Sequence, residues 1–143
     1  MPDLSDPLAT LDQILSDFGC VTGTLHRFDS GTQLLILLAQ RGIPDALMDK
    51  VAKIPIGKGI AGAAAERREA VQLCNLQTDT SGVARPDAKQ TQVSGSLAVP
   101  IIGDDDALLG VIGIGKREPY EFTDAESKRL WQAAENLAEN LTP

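Results

Sequence analysis

Cysteine, histidine and aromatic residues are scarce in this chain. Its 143 residues include two cysteines and one histidine, and only 3% are aromatic. The cysteines, Cys20 and Cys74, do not have the spacing of a metal site, and a disulfide between them would need an oxidising compartment. The sequence does not contain serine, histidine and aspartate in the order of a hydrolase triad, and it has no phosphate-binding loop. We therefore predict no metal site and no catalytic residues.

Positive charge and long apolar segments are also lacking. The chain has 13 basic and 20 acidic residues, a formal net charge of −7. Nucleic-acid binding needs a basic face, so we expect no nucleic-acid partner. No segment is long and apolar enough to span a membrane, and Asp3 and Asp6 stand where a secretory signal would be basic. We expect a cytoplasmic protein with one domain over residues 1–143, a common domain size.

The stretch Val93–Arg117 predicts a β-hairpin. Two apolar runs flank an acidic turn at 103–106, and we expect strands over 94–102 and 108–117. Because successive strand residues point to opposite faces, the large aliphatic residues share one face. The other face is lined by small residues, namely Ser96, Ala98, Gly113 and Gly115. Glycine in a strand often marks close approach, so this face either leaves room for a ligand or receives a packed loop.

The rest of the chain predicts terminal helices around an antiparallel sheet. The first helix begins at Pro7 with Asp6 as its cap and stops at Gly19. The last begins at a capping box at Thr123 and ends near 141. Further strands are expected over 20–28, 33–41, 54–56 and 69–73, with short helices over 44–53 and after 62. The run LLILLA in the second strand suggests burial on both faces. Hairpins with segregated helices indicate an α+β domain.

Three glycines, Gly57, Gly59 and Gly62, match the dinucleotide-binding fingerprint literally. That fingerprint requires a βαβ unit and an acidic residue at the end of the next strand. Here the next strand ends with Leu73, Cys74 and Asn75, and the chain does not alternate strands and helices. We therefore interpret the glycines as a tight turn that leads into a small-residue helix packed closely on the sheet.

Two further features could contribute to a site. His26 is the only histidine and lies in the first predicted strand. A lone strand histidine is more often structural than functional, and a role in a site would require it to face the same side as Ser96. Residues 75–92 show no periodicity, and a stretch of this length is often a functional lid. Cys74 precedes that stretch, and we expect it to be a buried structural thiol.

Five segments of the chain are informative when taken together. They are LHRFD at 25–29, GKGIAG at 57–62, SLAVPI at 96–101, LGVIGI at 109–114 and FTDAE at 122–126. In this order they resemble the GAF domain, a ligand-sensing module of signalling proteins, and the resemblance extends from about Leu8 to Leu141. It implies a six-stranded antiparallel sheet with the terminal helices on one face and a ligand pocket on the other, beneath irregular loops.

The resemblance implies a non-enzymatic sensory domain that binds a small molecule. The pocket would be lined by Ser96, Ala98, Gly113 and Gly115, with Thr22, Thr24 and His26 as weaker candidates. Its rim would consist of Cys74 and the segment 79–89, which includes Asp79 and Arg85. Because this segment contains both signs of charge, neither a cationic nor an anionic ligand is excluded. The resemblance names no cofactor, and a dimerisation module without a ligand is an alternative.

Free methionine sulfoxide reductases are the enzymatic alternative, since they are stand-alone GAF enzymes of similar length. The resemblance places their cysteines at Ala61 and within 87–90, and their substrate-binding carboxylates at Ser96, Gly113 and Gly115. None of these residues matches. Because the thiol chemistry needs a nucleophilic and a resolving sulfur, we expect no such activity.

Two other GAF subfamilies match less well. The cyclic-nucleotide pattern would keep Lys116 and Phe122, but its asparagine is replaced by Gly115 and its Asp-Glu pair by Glu126 and Ser127. The bilin-binding pattern needs a cysteine followed by histidine, and the chain has no such pair.

The terminal helices also predict a homodimer. Their apolar stripes look wider than one sheet face requires, and Leu4, Ile14 and Trp131 are the residues in excess. An exposed apolar patch usually marks a contact surface, and a twofold dimer is the commonest arrangement. The alternative is that Trp131 completes the core of the monomer.

Overall fold

The computed structural model describes residues 6–73, 95–139 and 141. Helices and strands follow one another as predicted for an α+β domain. In chain order they are α1 (Pro7–Phe18), β1 (Thr22–Asp29), β2 (Leu34–Arg41), α2 (Met48–Ala52), β3 (Lys53–Pro55), α3 (Gly59–Arg67), β4 (Val71–Leu73), β5 (Gly95–Ile102), β6 (Leu108–Lys116) and α4 (Asp124–Ala138). A short 3₁₀ turn, Asp45–Leu47, precedes α2.

One antiparallel sheet contains the six described strands, in the order β3-β2-β1-β6-β5-β4. The predicted hairpin forms with Leu97 of β5 paired with Ile114 of β6, and β6 lies next to β1 at the centre of the sheet. The acidic turn is closed by hydrogen bonds of Gly103 with Ala107 and with Asp106. The three-residue strands β3 and β4 lie at the two edges. Pro55 is therefore at an edge, where its missing N–H is tolerated.

Both terminal helices begin at the predicted caps. Asp6 Oδ1 accepts a hydrogen bond from the backbone N of Ala9 at 3.1 Å, and Gly19 ends α1 with φ +63°. At the start of α4, Thr123 and Glu126 make both hydrogen bonds of a capping box. These signals act within four residues, so the local sequence was sufficient to locate them.

The helices α1 and α4 cover one face of the sheet and enclose the main core. Five large aliphatic residues of β5 and β6 pack beneath them, as predicted, and none of the five is more than 2% exposed. These five are Leu97, Val99, Ile101, Ile112 and Ile114. Burying one such side chain contributes about 1.5–3 kcal/mol.

A smaller core lies on the opposite face, where α3 packs on the sheet. Its buried residues are Leu35, Ile54, Ala63, Ala64, Ala65, Val71, Ala98 and Val111. At Gly62 a Cβ would lie only 2.6 Å from the carbonyl oxygen of Pro55, and Gly57 and Gly59 have φ of +86° and +68°. The three glycines thus form a tight turn and a close helix contact, as interpreted from the sequence.

One expectation was confirmed in part and another was wrong. The run LLILLA of β2 contributes a buried residue to each core, Leu35 to the smaller core and Ala39 to the main core, and its other residues are half-buried. Ile14 is 8% exposed and belongs to the main core, so it is not a surplus apolar residue. Trp131 is half-buried against the same core, and Leu4 lies outside the described residues.

Within the described ranges, no helix is long and apolar enough to cross a lipid bilayer.

Candidate functional site

The strand register gathers the predicted small residues on one face. In one row Thr22 pairs with Gly115, and Gly115 pairs with Ser96. In the next row Thr24 pairs with Gly113, and Gly113 pairs with Ala98. One row further along, His26 pairs with Val111. Directly opposed residues of antiparallel strands share a face. Seven predicted site residues therefore lie on the face opposite α1 and α4, namely Thr22, Thr24, His26, Ser96, Ala98, Gly113 and Gly115.

Only some of the residues on this face are exposed to solvent. Ala98 is 2% exposed and packs with α3 in the smaller core. In contrast, Thr24, Ser96 and Gly113 are half-buried. A Cβ at Gly113 would lie 3.3 Å from Thr24 Oγ1, 3.9 Å from the carbonyl oxygen of Leu97 and 4.0 Å from Ala98 Cβ. We call Thr24, Ser96 and Gly113 the Gly113 patch, an open part of the sheet lined by hydroxyl groups.

His26 lies beside this patch and is fully buried. Its Nε2 is 2.7 Å from the backbone carbonyl oxygen of Val51 in α2. Because a carbonyl oxygen only accepts, Nε2 must carry the hydrogen and donate it. Burial lowers the pKa of His26, and the Val51 carbonyl opposes this effect. The ring is therefore neutral at neutral pH, with Nε2 protonated and Nδ1 bearing a lone pair.

His26 Nδ1 has no hydrogen-bond partner among the residues that the structure describes. A buried acceptor left unpaired costs about 1–3 kcal/mol. His26 faces the same side as Ser96, which was the condition for a functional role. Its contact with Val51 could not be predicted from local sequence patterns, since 25 positions separate the two residues.

The predicted rim residues Cys74, Asp79 and Arg85 lie outside the described residues. The other cysteine, Cys20, lies in the main core on the helix-covered side of the sheet. Burial raises the pKa of its thiol, against a smaller opposite effect of Lys116. Cys20 is thus mostly a neutral thiol, which is a poor nucleophile.

Lys116 and Phe122, the two residues shared with the cyclic-nucleotide pattern, make structural contacts. The Lys116 ammonium lies 4.6 Å from the centre of the Tyr120 ring and 3.4 Å from the carbonyl oxygen of Gly19. Phe122 is 2% exposed in the main core. Its ring meets the Tyr120 ring edge-on at a centroid distance of 4.8 Å. Neither side chain belongs to the small-residue face.

Gln72 makes a structural contact with the backbone of Phe122 that was not predicted from the sequence. Its side-chain amide accepts a hydrogen bond from the backbone N of Phe122 at 3.0 Å and donates one to the carbonyl oxygen of Phe122 at 3.3 Å. This pair connects the edge strand β4 to the segment just before α4. No group of three or more potential metal ligands occurs in the described part of the chain.

Comparison with known proteins identifies the family. A family model of the GAF domain matches residues 8–142. The GAF domain of a phosphoenolpyruvate-protein phosphotransferase from Coxiella burnetii is 24% identical, with a TM-score of 0.80 over 97% of this chain and 82% of that chain. No curated protein sequence matches.

Two reductases have the same fold. Free methionine-R-sulfoxide reductase from Neisseria meningitidis, solved with its substrate, is 19% identical, with a TM-score of 0.78 over 99% of this chain and 79% of that chain. The type II enzyme from Thermoplasma acidophilum is 18% identical, with a TM-score of 0.75 over 97% and 95% of the two chains. At these identities the likeness concerns the fold alone. With its family model covering nearly the whole sequence, the chain belongs to the GAF domain family.

Proposed function

We propose that this GAF domain is a non-enzymatic sensory domain that binds a small molecule over the Gly113 patch. The observation that carries the proposal is the partial exposure of Gly113. Among the described atoms, the nearest to an added Cβ would be Thr24 Oγ1 at 3.3 Å, a close contact that a shift of this half-buried side chain relieves. At Gly110, on the same strand, a Cβ would lie 2.1 Å from the backbone oxygen of His26. The two glycines differ because the backbone of β1 crowds Gly110, whereas the nearest described atom at Gly113 belongs to a side chain that can move.

The chemistry of the patch suits a ligand held by a few polar contacts. Thr24 presents a hydroxyl group beside Gly113 and Ser96 presents one beside Gly115, while Ala98 and Val111 provide apolar surface next to them. Ligand pockets typically combine apolar walls with a small number of placed polar groups. In this proposal Thr22 and Gly115 extend the floor, and Cys74, Asp79 and Arg85 contribute the rim.

The absence of reductase residues at the matching positions supports a non-enzymatic role. Ala61, in α3, replaces the first cysteine, and the carboxylate positions are Ser96, Gly113 and Gly115. Cys20 lies on the other side of the sheet with a raised pKa. The proposal places this domain in the cytoplasm, where a free cysteine such as Cys20 stays reduced.

A thermal-shift screen of metabolites tests the proposal. A ligand at one hundred times its Kd stabilises the folded state by about 2.7 kcal/mol. We expect at least one compound to raise the Tm of the wild type. Gly113→Leu should remain folded and lose this response. The control variant Gln132→Leu, which places a leucine on the exposed face of α4 instead, should keep it. Equal responses in all three proteins would locate binding elsewhere.

Turnover of free methionine sulfoxide is measured in parallel. We expect none with a thiol reductant present. Reductase activity that disappears when Cys20 and Cys74 are both replaced by serine would contradict the non-enzymatic role.

We also propose a homodimer that associates through the terminal helices. Leu8 in α1 and Val21 just after it are 36% and 54% exposed, and Trp131 in α4 is half-buried. Sedimentation equilibrium at micromolar concentration should give the mass of a dimer. Leu8→Glu combined with Trp131→Glu should give a monomer, whereas the control Gln132→Glu should leave the mass of the dimer unchanged. A monomeric wild type would refute this arrangement.

A further inference from the structure

The unpaired nitrogen of His26 distinguishes this residue from the apolar residues of the smaller core on the same face of the sheet. The side chain is fully buried, its Nε2 donates to Val51 at 2.7 Å, and Nδ1 has no partner within the described residues. A neutral imidazole with a protonated Nε2 can only accept at Nδ1. The group that would complete this site must therefore be a hydrogen-bond donor.

The unpaired nitrogen lies at the sheet end of the ring. Nδ1 is bonded to Cγ, whereas Nε2 lies at the outer end, where it reaches α2. On the same face, Thr24 is the next residue of β1 and Val111 is the paired residue of β6. Val111 is fully buried under α3. Thr24 and Gly113 are half-buried and pair with each other, so they are the accessible residues that adjoin His26 on this face.

We propose that the ligand of the Gly113 patch presents an uncharged N–H or O–H group, of the amide or alcohol class, to His26 Nδ1. This inference rests on the proposed function and adds the chemical class of the ligand. An ionised carboxylate or a phosphate oxygen accepts hydrogen bonds but donates none, so it leaves Nδ1 unpaired. The small-residue face offers no charged side chain at its described positions, and an unpaired buried charge is costly. A neutral donor therefore fits where an anion does not.

Acetamide and acetate provide a matched pair of probes. They have nearly the same shape, but only acetamide carries N–H donors. His26 is the only histidine, so labelling with ¹⁵N-histidine gives one Nδ1 and one Nε2 signal in the NMR spectrum. We expect acetamide to shift the Nδ1 signal in a saturable way, while Nε2, held by Val51, stays nearly constant. Acetate at the same concentration and pH should leave Nδ1 unchanged.

Two outcomes of this titration would overturn the proposal. If neither probe shifts Nδ1, or if both shift it equally, the nitrogen does not select a donor ligand. If Nδ1 has the shift of a hydrogen-bonded nitrogen in the free protein and does not respond to acetamide, a buried water completes the site instead.

Two variants distinguish the role of the acceptor Nδ1, the inner nitrogen of the ring, from that of the donor Nε2, the outer nitrogen. His26→Asn keeps an oxygen near the position of Nδ1 but does not reach Val51. His26→Gln keeps an N–H that reaches toward Val51 but lacks the inner acceptor. We expect His26→Asn to retain the preference for acetamide, followed through the backbone amide signals of Thr24 and Gly113, and His26→Gln to lose it. The reverse order would show that His26 acts only through its contact with α2.

The proposed function can stand or fall independently. A compound found in the thermal-shift screen should bind His26→Gln about tenfold more weakly than the wild type, the effect expected for one lost hydrogen bond. A compound that Gly113→Leu excludes but His26→Gln binds with unchanged Kd would preserve small-molecule binding and refute the role of His26.

Discussion

Alanine at Gly113 and alanine at Gly110 should have opposite effects on stability, although both glycines belong to β6. Neither has a φ in the left-handed region, so an alanine is compatible with the backbone at both sites. At Gly113 the new Cβ would be 3.3 Å from Thr24 Oγ1, which a rotation of this half-buried side chain relieves. We expect a gain of about 0.4–1 kcal/mol, because alanine reduces the conformational freedom of the unfolded chain.

At Gly110 the new Cβ would be 2.1 Å from the His26 carbonyl oxygen and 3.2 Å from Arg27 Cα. Ordinary contacts of a Cβ begin at about 3.4 Å, so β1 and β6 would have to separate by more than an ångström. The opposing atoms are backbone and cannot rotate away. We expect a loss of about 3 kcal/mol, the upper end of the usual cost of overpacking.

Urea denaturation followed by the fluorescence of the single tryptophan, Trp131, measures both effects. The midpoint should rise for Gly113→Ala and fall for Gly110→Ala, with little change in the slope m if unfolding remains two-state. A loss at Gly113 as large as that at Gly110 would refute the reasoning. It would show that the small-residue face is closed by packing, and the proposed pocket would be wrong.

Three further predictions concern His26, Gln72 and the cysteines. Burial lowers the pKa of His26 in the folded state. Below about pH 6.5 the unfolded state therefore binds a proton that the folded state does not. As the pH falls from there to the pKa of His26 in the folded protein, the free energy of unfolding should decrease by up to about 1.4 kcal/mol per pH unit. His26→Gln should lack this component, and parallel pH curves for the two proteins would contradict it. Gln72→Ala removes both hydrogen bonds to Phe122 and should cost about 1 kcal/mol, with faster amide exchange at Phe122; unchanged exchange would refute the contact. We propose that Cys74 contributes to the rim by its position and not by its thiol. Replacing Cys20 and Cys74 with serine, which has nearly the same size, should therefore leave the Kd of any ligand from the screen within about twofold, less than one hydrogen bond is worth, and loss of binding would show that a thiol takes part.

Local features of the fold were predictable because their causes lie within a few residues. The helix cap at Asp6 and the capping box at Thr123 depend on side chains three residues from the groups they bind. The division of β5 and β6 into a large-residue and a small-residue face follows from the alternation of side chains along a strand. This alternation placed Ser96 and Gly113 on one face before any tertiary contact was known.

Contacts between distant segments were not predictable from such patterns. Ile14 occurs on a wide apolar stripe, and only the packing of α1 on the sheet shows that it is core. The hydrogen bond between His26 and Val51 depends on where α2 crosses the sheet. Alternation likewise says nothing about how far α3 extends over the small-residue face.

The sequence by itself determined the order of the elements, their caps, and which side chains share a face, because these depend on the short periods and turn residues of the chain. The tertiary structure decided which of two similar glycines is closed and which is open. Gly110 is pressed against the backbone of β1, whereas the nearest described atom at Gly113 is the side-chain oxygen of Thr24, which can move. The physical reason is that the space around each glycine depends on how closely β1 and β6 approach at that point, and these two strands are far apart in the chain.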